Sequence, residues 1–261
     1  MNMIRQPAKG PAFVSLDSFG TALNVVVVGA SGGIGGAFAD HLAGSDRVAR
    51  VTALSREDPG LDEAKCAWLP IDIENEESIE AAAAEIRASG APVHMVIVTT
   101  GILHDGDDLT PEKTWRTLSS ESLKKAFCIN TIGPGLVAKH FLPLLARRRK
   151  TAFAVLSARV GSISDNRLGG WYAYRASKAA VNMLVRTLAI ELKRSNPDAL
   201  CVALHPGTVD SRLSKPFQSN VPDGKLFSPE KSAGYLLSVI DGLSPEQSGK
   251  LFAWDGTEVP F

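Results

Sequence analysis

The run Leu23 to Val28 reads LNVVVV, and a glycine-rich turn follows at once: Gly29, Ala30, Ser31, Gly32, Gly33, Ile34, Gly35. A short β-branched run of this kind suits a strand buried on both faces of a sheet. Glycine suits the turn because a tight reversal needs dihedrals that side chains resist, and because a missing Cβ lets backbone approach a phosphate group. The residues from Gly36 to Leu42 have helical character, so the order is strand, loop, helix. Unpaired N–H groups and the positive dipole end of that helix then face the loop, an arrangement that holds a pyrophosphate. The lysine of a P-loop is missing, which argues against nucleoside triphosphate hydrolysis.

Six further short apolar runs recur, at 47–54, 67–71, 93–98, 151–156, 200–204 and 250–254. Helical patterns separate them: 76–88, the long stretch from Glu112 to Arg149, Tyr174 to Arg194, and 229–241. Strand and helix alternate, which is the pattern of right-handed βαβ crossovers. The expectation is a doubly wound α/β fold, with a single seven-stranded parallel sheet covered by helices on both faces. A chain of 261 residues can bury one large core, so the whole of 1–261 reads as one domain, with 1–22 as a polar lead-in. Its 28 basic and 28 acidic residues cancel, leaving no positive field to hold nucleic acid. Cys66, Cys128 and Cys201 form no paired motif, and the histidines lack metal-ligand spacing, so reduced thiols and no metal are expected. No run reaches the roughly 18 apolar residues of a membrane span, so no membrane partner is expected and the location reads as cytoplasmic.

In dinucleotide-binding folds the end of the second strand, roughly twenty residues past the glycine loop, meets the adenosine ribose. Here it reads Leu54, Ser55, Arg56. Serine and arginine offer donors and positive charge where a carboxylate would repel a 2′-phosphate, which favours NADP(H) over NAD(H). Arg56 could equally solvate a strand end, with Glu57 and Asp58 beside it. Asp72, at the end of the third strand beside Ile73, could cap the next helix or bond the adenine.

Tyr174 and Lys178 stand four residues apart at the start of a predicted helix and so share one face. A lysine charge beside a phenol favours the phenolate, bringing proton transfer nearer neutral pH. Taken with Gly29, Gly33 and Gly35, this pair makes the sequence resemble the short-chain dehydrogenase/reductase family, from Leu23 to about Gly256. The resemblance implies a Rossmann fold. It places the adenine-side aspartate at Asp72 and the catalytic tyrosine and lysine at Tyr174 and Lys178. The family's asparagine falls at Asn130, where it would position a water linking Lys178 to solvent. Its nicotinamide-holding Pro-Gly motif falls on Pro206, Gly207, Val209 and Ser211, with serine in place of the usual threonine.

Two positions depart from the family pattern. Thr99, Thr100 and Gly101 replace the usual Asn-Ala-Gly, keeping the glycine and losing the amide. The catalytic serine of the motif Ser-x-x-Gly, aligned on Gly161, falls on Ala158, so Ser157 or Ser162 is left to orient the carbonyl. Neighbouring strand residues face opposite sides, which could turn Ser157 away. The stretch 157–174 is similar to the subgroup containing the C-factor signalling protein and sniffer-type carbonyl reductases. That resemblance implies an NADP(H)-dependent reductase acting on a small-molecule aldehyde or ketone, or else a signalling protein that depends on bound cofactor. The segments Asp165 to Tyr172 and Ser211 to Phe227 are candidate substrate contacts. Family likeness and the apolar residues of the helix from Tyr174, Met183 and Leu184 among them, imply a homodimer or homotetramer.

Overall fold

A computed structural model describes residues 15–61, 64–106 and 108–261; most of the expected lead-in, 1–14, lies outside the described residues. In chain order the main elements are β1 (Leu23–Val28), α1 (Gly33–Ala43), β2 (Val48–Ser55), β3 (Cys66–Pro70), α2 (Glu76–Ala88) and β4 (Met95–Val98). There follow α3 (Ser120–Phe127), α4 (Gly133–Phe141), β5 (Thr151–Leu156), α5 (Tyr172–Ser195) and β6 (Ala199–His205). The chain ends with β7 (Thr208–Val209), β8 (Leu226–Phe227), α6 (Pro229–Gly242), β9 (Leu251–Ala253) and β10 (Glu258–Val259). The main sheet runs β10-β9-β6-β5-β4-β1-β2-β3, and β7 pairs with β8 as a separate ribbon.

This is the doubly wound α/β fold expected, with eight strands instead of seven. The extra strand, β10, pairs antiparallel with β9 and is too short to show any periodicity. Both faces of the sheet are covered, which explains why β1 is apolar from Val25 to Val28. Val25 and Val27 join the core under α1 and α6, whereas Val26 and Val28 join the one under α2, α4 and α5. A period of two therefore leaves no polar face. The described end of the lead-in also packs: Leu16 and Phe19 are buried, and Ser18 donates to Asp241.

Local chemistry sets the helix ends. Asn75, not Asp72, caps α2 by accepting from the Glu77 and Ser78 amides. Asp72 instead accepts from the Glu74 amide in a turn of its own. The stretch 112–149, read as one long helical region, divides into α3 and α4 with a π-helical turn at Cys128–Ile132 between them. Pro134 lacks the N–H that would continue the regular ladder through that turn. Asn130 sits within it, fully buried.

Candidate active site

In parallel α/β sheets ligands settle beyond the carboxyl ends of the strands, where the strand order reverses. Here that reversal lies between β1 and β4. A cleft of about 760 Å³ opens there. Ser31, Gly32, Gly33, Ile34 and Gly35 line it from the loop after β1, and Arg56 and Glu57 from the end of β2. Thr99, Thr100 and Gly101 enter from β4, Ser157 and Ala158 from β5, and Pro206, Gly207, Val209 and Ser211 from beyond β6. Tyr174 and Lys178 reach in from α5. Residues far apart in the chain thus meet because each follows the end of a central strand or starts a helix beside one.

The glycine-loop end is open to a ligand. Gly32 precedes α1 and no side chain caps that helix, leaving its first N–H groups to whatever occupies the cleft. Two buried polar atoms on the cleft, Thr100 Oγ1 and His205 Nδ1, have no hydrogen-bond partner among the described residues. Buried groups of this kind ordinarily find a partner. Thr99 has a structural task, its hydroxyl donating to the Val28 and Gly29 carbonyls at 2.8 and 3.2 Å.

At the other end Tyr174 is buried within an apolar group of Leu103, Ala158, Val160, Trp171, Leu213 and Phe217. Trp171 meets the Tyr174 ring edge-on at 6.3 Å, and its other ring neighbour, Phe217, is tilted against it at 5.0 Å. Lys178 is buried; its Nζ donates to the Leu156 carbonyl at 2.9 Å and stands 5.9 Å from the Tyr174 ring centre. Burial pulls the Lys178 ammonium down to about 8. It also pushes the Tyr174 phenol up from its ordinary value, so desolvation outweighs the lowering expected from the lysine charge. A phenol in this setting is protonated at neutral pH and poised to donate.

Several expected roles take a different form. Ser157 donates to Asn182 Oδ1 at 2.7 Å, because the strand pleat turns its hydroxyl toward α5. Ser162 is buried away from the cleft lining and accepts from the Asp165 amide at 3.1 Å. The position packed against Tyr174 is Ala158. Asn130 accepts from the Ile102 amide and donates to the Ile102 carbonyl and to Ser177 Oγ. Both its amide protons are committed, so its side chain has no donor left for the expected water. Ser55 is buried and donates to the Glu57 carbonyl at 2.6 Å, which takes it out of the cleft and leaves Arg56 as the donor there. Asp72 and Ile73 are not among the lining residues; Ile73 packs on the α4 start, where a Cβ on Gly133 would come within 3.0 Å of it. Gly29 lies under the loop and shapes it. Sequence reading missed His205 as a cleft residue, although its place immediately before Pro206 at a strand end was a usable signal. Burial holds its imidazole down at about 4, hence neutral.

A family model described as short chain dehydrogenase matches residues 23–222. The chain belongs to the short chain dehydrogenase family. It is 41% identical over 140 residues to C-signal of Myxococcus xanthus, covering 53% of this chain and 78% of that one. A dehydrogenase of Rhodococcus sp. strain AD45, named for 1-hydroxy-2-glutathionyl-2-methyl-3-butene, is 33% identical over 187 residues, covering 72% of this chain and 76% of the relative. The NADPH-bound carbonyl reductase from chicken fatty liver superposes with a TM-score of 0.79 at 28% identity, covering 97% of this chain and all of that one. These likenesses place the chain among oxidoreductases of the family, with C-signal and carbonyl reductase relatives as the 157–174 segment implied.

Proposed function

We propose that the protein reduces an aldehyde or ketone to an alcohol with NADPH, Tyr174 serving as general acid. The observation that carries this reading is the meeting of the uncapped glycine loop, Tyr174 and Lys178 in one cleft. The chicken relative, a carbonyl reductase holding NADPH, supports it.

The loop from Ser31 to Gly35 would hold the pyrophosphate on backbone N–H groups, and Arg56 would face the 2′-phosphate. Pro206 and Gly207, with His205 beside them on the cleft, would hold the nicotinamide end. When bound, the reduced nicotinamide supplies a hydride to the carbonyl carbon. Tyr174 Oη donates its proton to the carbonyl oxygen as negative charge builds there, an interaction stronger in the transition state than before it. Lys178, held by the Leu156 carbonyl, stabilises the phenolate left behind. Trp171, Leu213 and Phe217 exclude water and form an apolar seat for the rest of the substrate. Because Ala158 carries no hydroxyl, Tyr174 bears more of the oxygen's charge.

Lys178 links the reaction to pH. It is protonated below about 8, so kcat/KM for reduction is expected to be level near neutrality and to fall as pH rises through that value. A pH-rate profile checks this; a rate still level two units above it would contradict the role.

The deciding experiment follows NADPH or NADH oxidation by the purified protein with aldehydes, ketones and quinones. NADPH-selective turnover is expected, and Arg56→Glu should cut kcat/KM with NADPH by roughly 10- to 100-fold while sparing NADH, since a charge-assisted bond to phosphate becomes a repulsion. Equal loss with both cofactors would remove Arg56 from phosphate recognition. A second reading, a cofactor-dependent signalling protein, draws on the C-signal relative and on the two serines, the Ser157 hydroxyl being committed to Asn182 and Ser162 lying outside the cleft lining. Tight NADPH binding without turnover would favour it. Met183 and Ile190, exposed two turns apart on α5, support self-association of the chain across that face.

A further inference from the structure

Helix α5 carries Tyr174 in its first turn, yet it begins without a cap of its own. Trp171, at the cap position, is in the left-handed region (φ 52°, ψ 45°) and makes no side-chain cap bond. The missing cap comes from elsewhere in the chain. Glu112, 61 residues earlier in the segment between β4 and α3, accepts from the Ala173 amide through Oε2 at 3.2 Å. Its backbone carbonyl accepts from the Trp171 amide at 2.6 Å. One residue thus holds two of the N–H groups at the start of α5, on the residue immediately before Tyr174 and on the cap itself.

We propose that Glu112 is a positioning residue, which sets the place of the Tyr174 hydroxyl by capping α5 from the segment between β4 and α3. The proposal rests on Tyr174 acting as the proton donor described above. Glu112 is only 4% exposed, and its second oxygen, Oε1, is buried without a hydrogen-bond partner among the described residues. A half-satisfied buried carboxyl is a poor stabilising device and calls for another explanation; a fixed helix end is one. An acceptor at a helix N-terminus satisfies an orphan donor, and negative charge there suits the dipole. The other side of the turn is already tied, with Arg175 donating to the Gly169, Gly170 and Val160 carbonyls. Ser177 donates to the Tyr174 carbonyl itself. Glu112 is the tie that comes from the 103–119 segment, whose Leu103 packs against Tyr174. Placement errors of about 1 Å can cost about 100-fold in rate, so losing one tie should be visible in catalysis before it is visible in folding.

Three variants of the full chain test this. Glu112→Met keeps the volume and removes the acceptor, and it should lower kcat roughly 10- to 100-fold while KM for NADPH and for the carbonyl stays within about threefold. Glu112→Gln keeps an oxygen for the Ala173 amide and should return kcat to within about threefold of wild type. Hydrogen exchange supplies a reading that does not need turnover. Peptides covering 171–178 should exchange at least about tenfold faster in Glu112→Met, and at the wild-type rate in Glu112→Gln. Unchanged exchange in Glu112→Met, equal losses in Met and Gln variants, or a rise in KM alone would overturn the proposal. Should Glu112→Met not fold, Glu112→Asp retracts the acceptor by one methylene; lower kcat and faster exchange there support the role, and wild-type behaviour overturns it. A wild-type protein that reduces no carbonyl sinks the functional reading, and exchange then judges the capping role by itself.

Discussion

Tyr174→Phe is expected to lower carbonyl reduction by roughly 10²- to 10⁴-fold, the range that a lost general acid produces, while the protein still folds and binds NADPH. The ring, not the hydroxyl, supplies the packing with Leu103, Ala158 and Trp171, so phenylalanine preserves the buried surface and the edge-on aromatic contact. What disappears is the proton, and no serine stands ready to replace it. Ser157 is committed to Asn182 and Ser162 accepts from the Asp165 amide. The loss should fall on kcat and kcat/KM together, since the bond is made to charge that develops only in the transition state. Steady-state rates, NADPH fluorescence titration and a thermal melt on the same variant would check all three parts. Turnover within tenfold of wild type, with the melt unchanged, would show that another group delivers the proton.

The second large effect concerns the glycine loop. A Cβ added to Gly35 would lie 2.2 Å from the Gly29 carbonyl oxygen and 2.7 Å from Thr99 Oγ1, closer than real atoms approach. Neither neighbour can yield cheaply. Gly29 sits at φ +89°, its amide donates to Leu54 at 2.8 Å and its carbonyl accepts from the Gly32 amide at 3.0 Å. Thr99 Oγ1 is bonded to Val28 and Gly29. The start of α1 must therefore move away from the loop. Gly35→Ala should cost roughly 1–3 kcal/mol of stability, the usual range for overpacking, and should weaken NADPH binding more than tenfold on the order of one charge-assisted contact. Gly36→Ala is the control. Its Cβ would meet only the Ala30 carbonyl oxygen, at 3.4 Å, and alanine is the better helix former, so stability should hold or rise. Equal melting temperatures and equal NADPH affinities for the two variants would contradict the packing argument.

These two sites differ in how far they could be read from sequence. The turn after β1 was legible because its cause is local: an apolar strand, dihedrals that demand glycine and a helix start lie within a single short stretch. The same holds for most strands of the sheet, whose both-faces-buried composition needs no partner to be named. The 112–149 stretch was less legible. Its apolar residues suit a helix, and Gly133, Pro134, Gly135 and Pro143 together with the cap at Ser119, which accepts from the Ser122 amide at 3.0 Å, divide it. His205 went unnoticed as a cleft residue because an isolated histidine has no pattern; its meaning comes from standing beside Pro206 at a strand end on the cleft.

By itself, then, the sequence determined the alternation of strands and helices, the doubly wound sheet, the glycine-rich turn after β1 and the pairing of Tyr174 with Lys178 on one helical face. Periodicity and spacing carry such information because each depends on neighbours along the chain. Only the tertiary structure decided which hydroxyls face the cleft and what holds the tyrosine. Ser157 points to Asn182, Ser55 to its own turn, and Glu112 reaches across 61 residues to Ala173. A side chain at a strand end is aimed by the path of the loop that follows and by the helix packed against it. Those partners are chosen in space, by burial and by the need to pair every donor, so no local pattern encodes them.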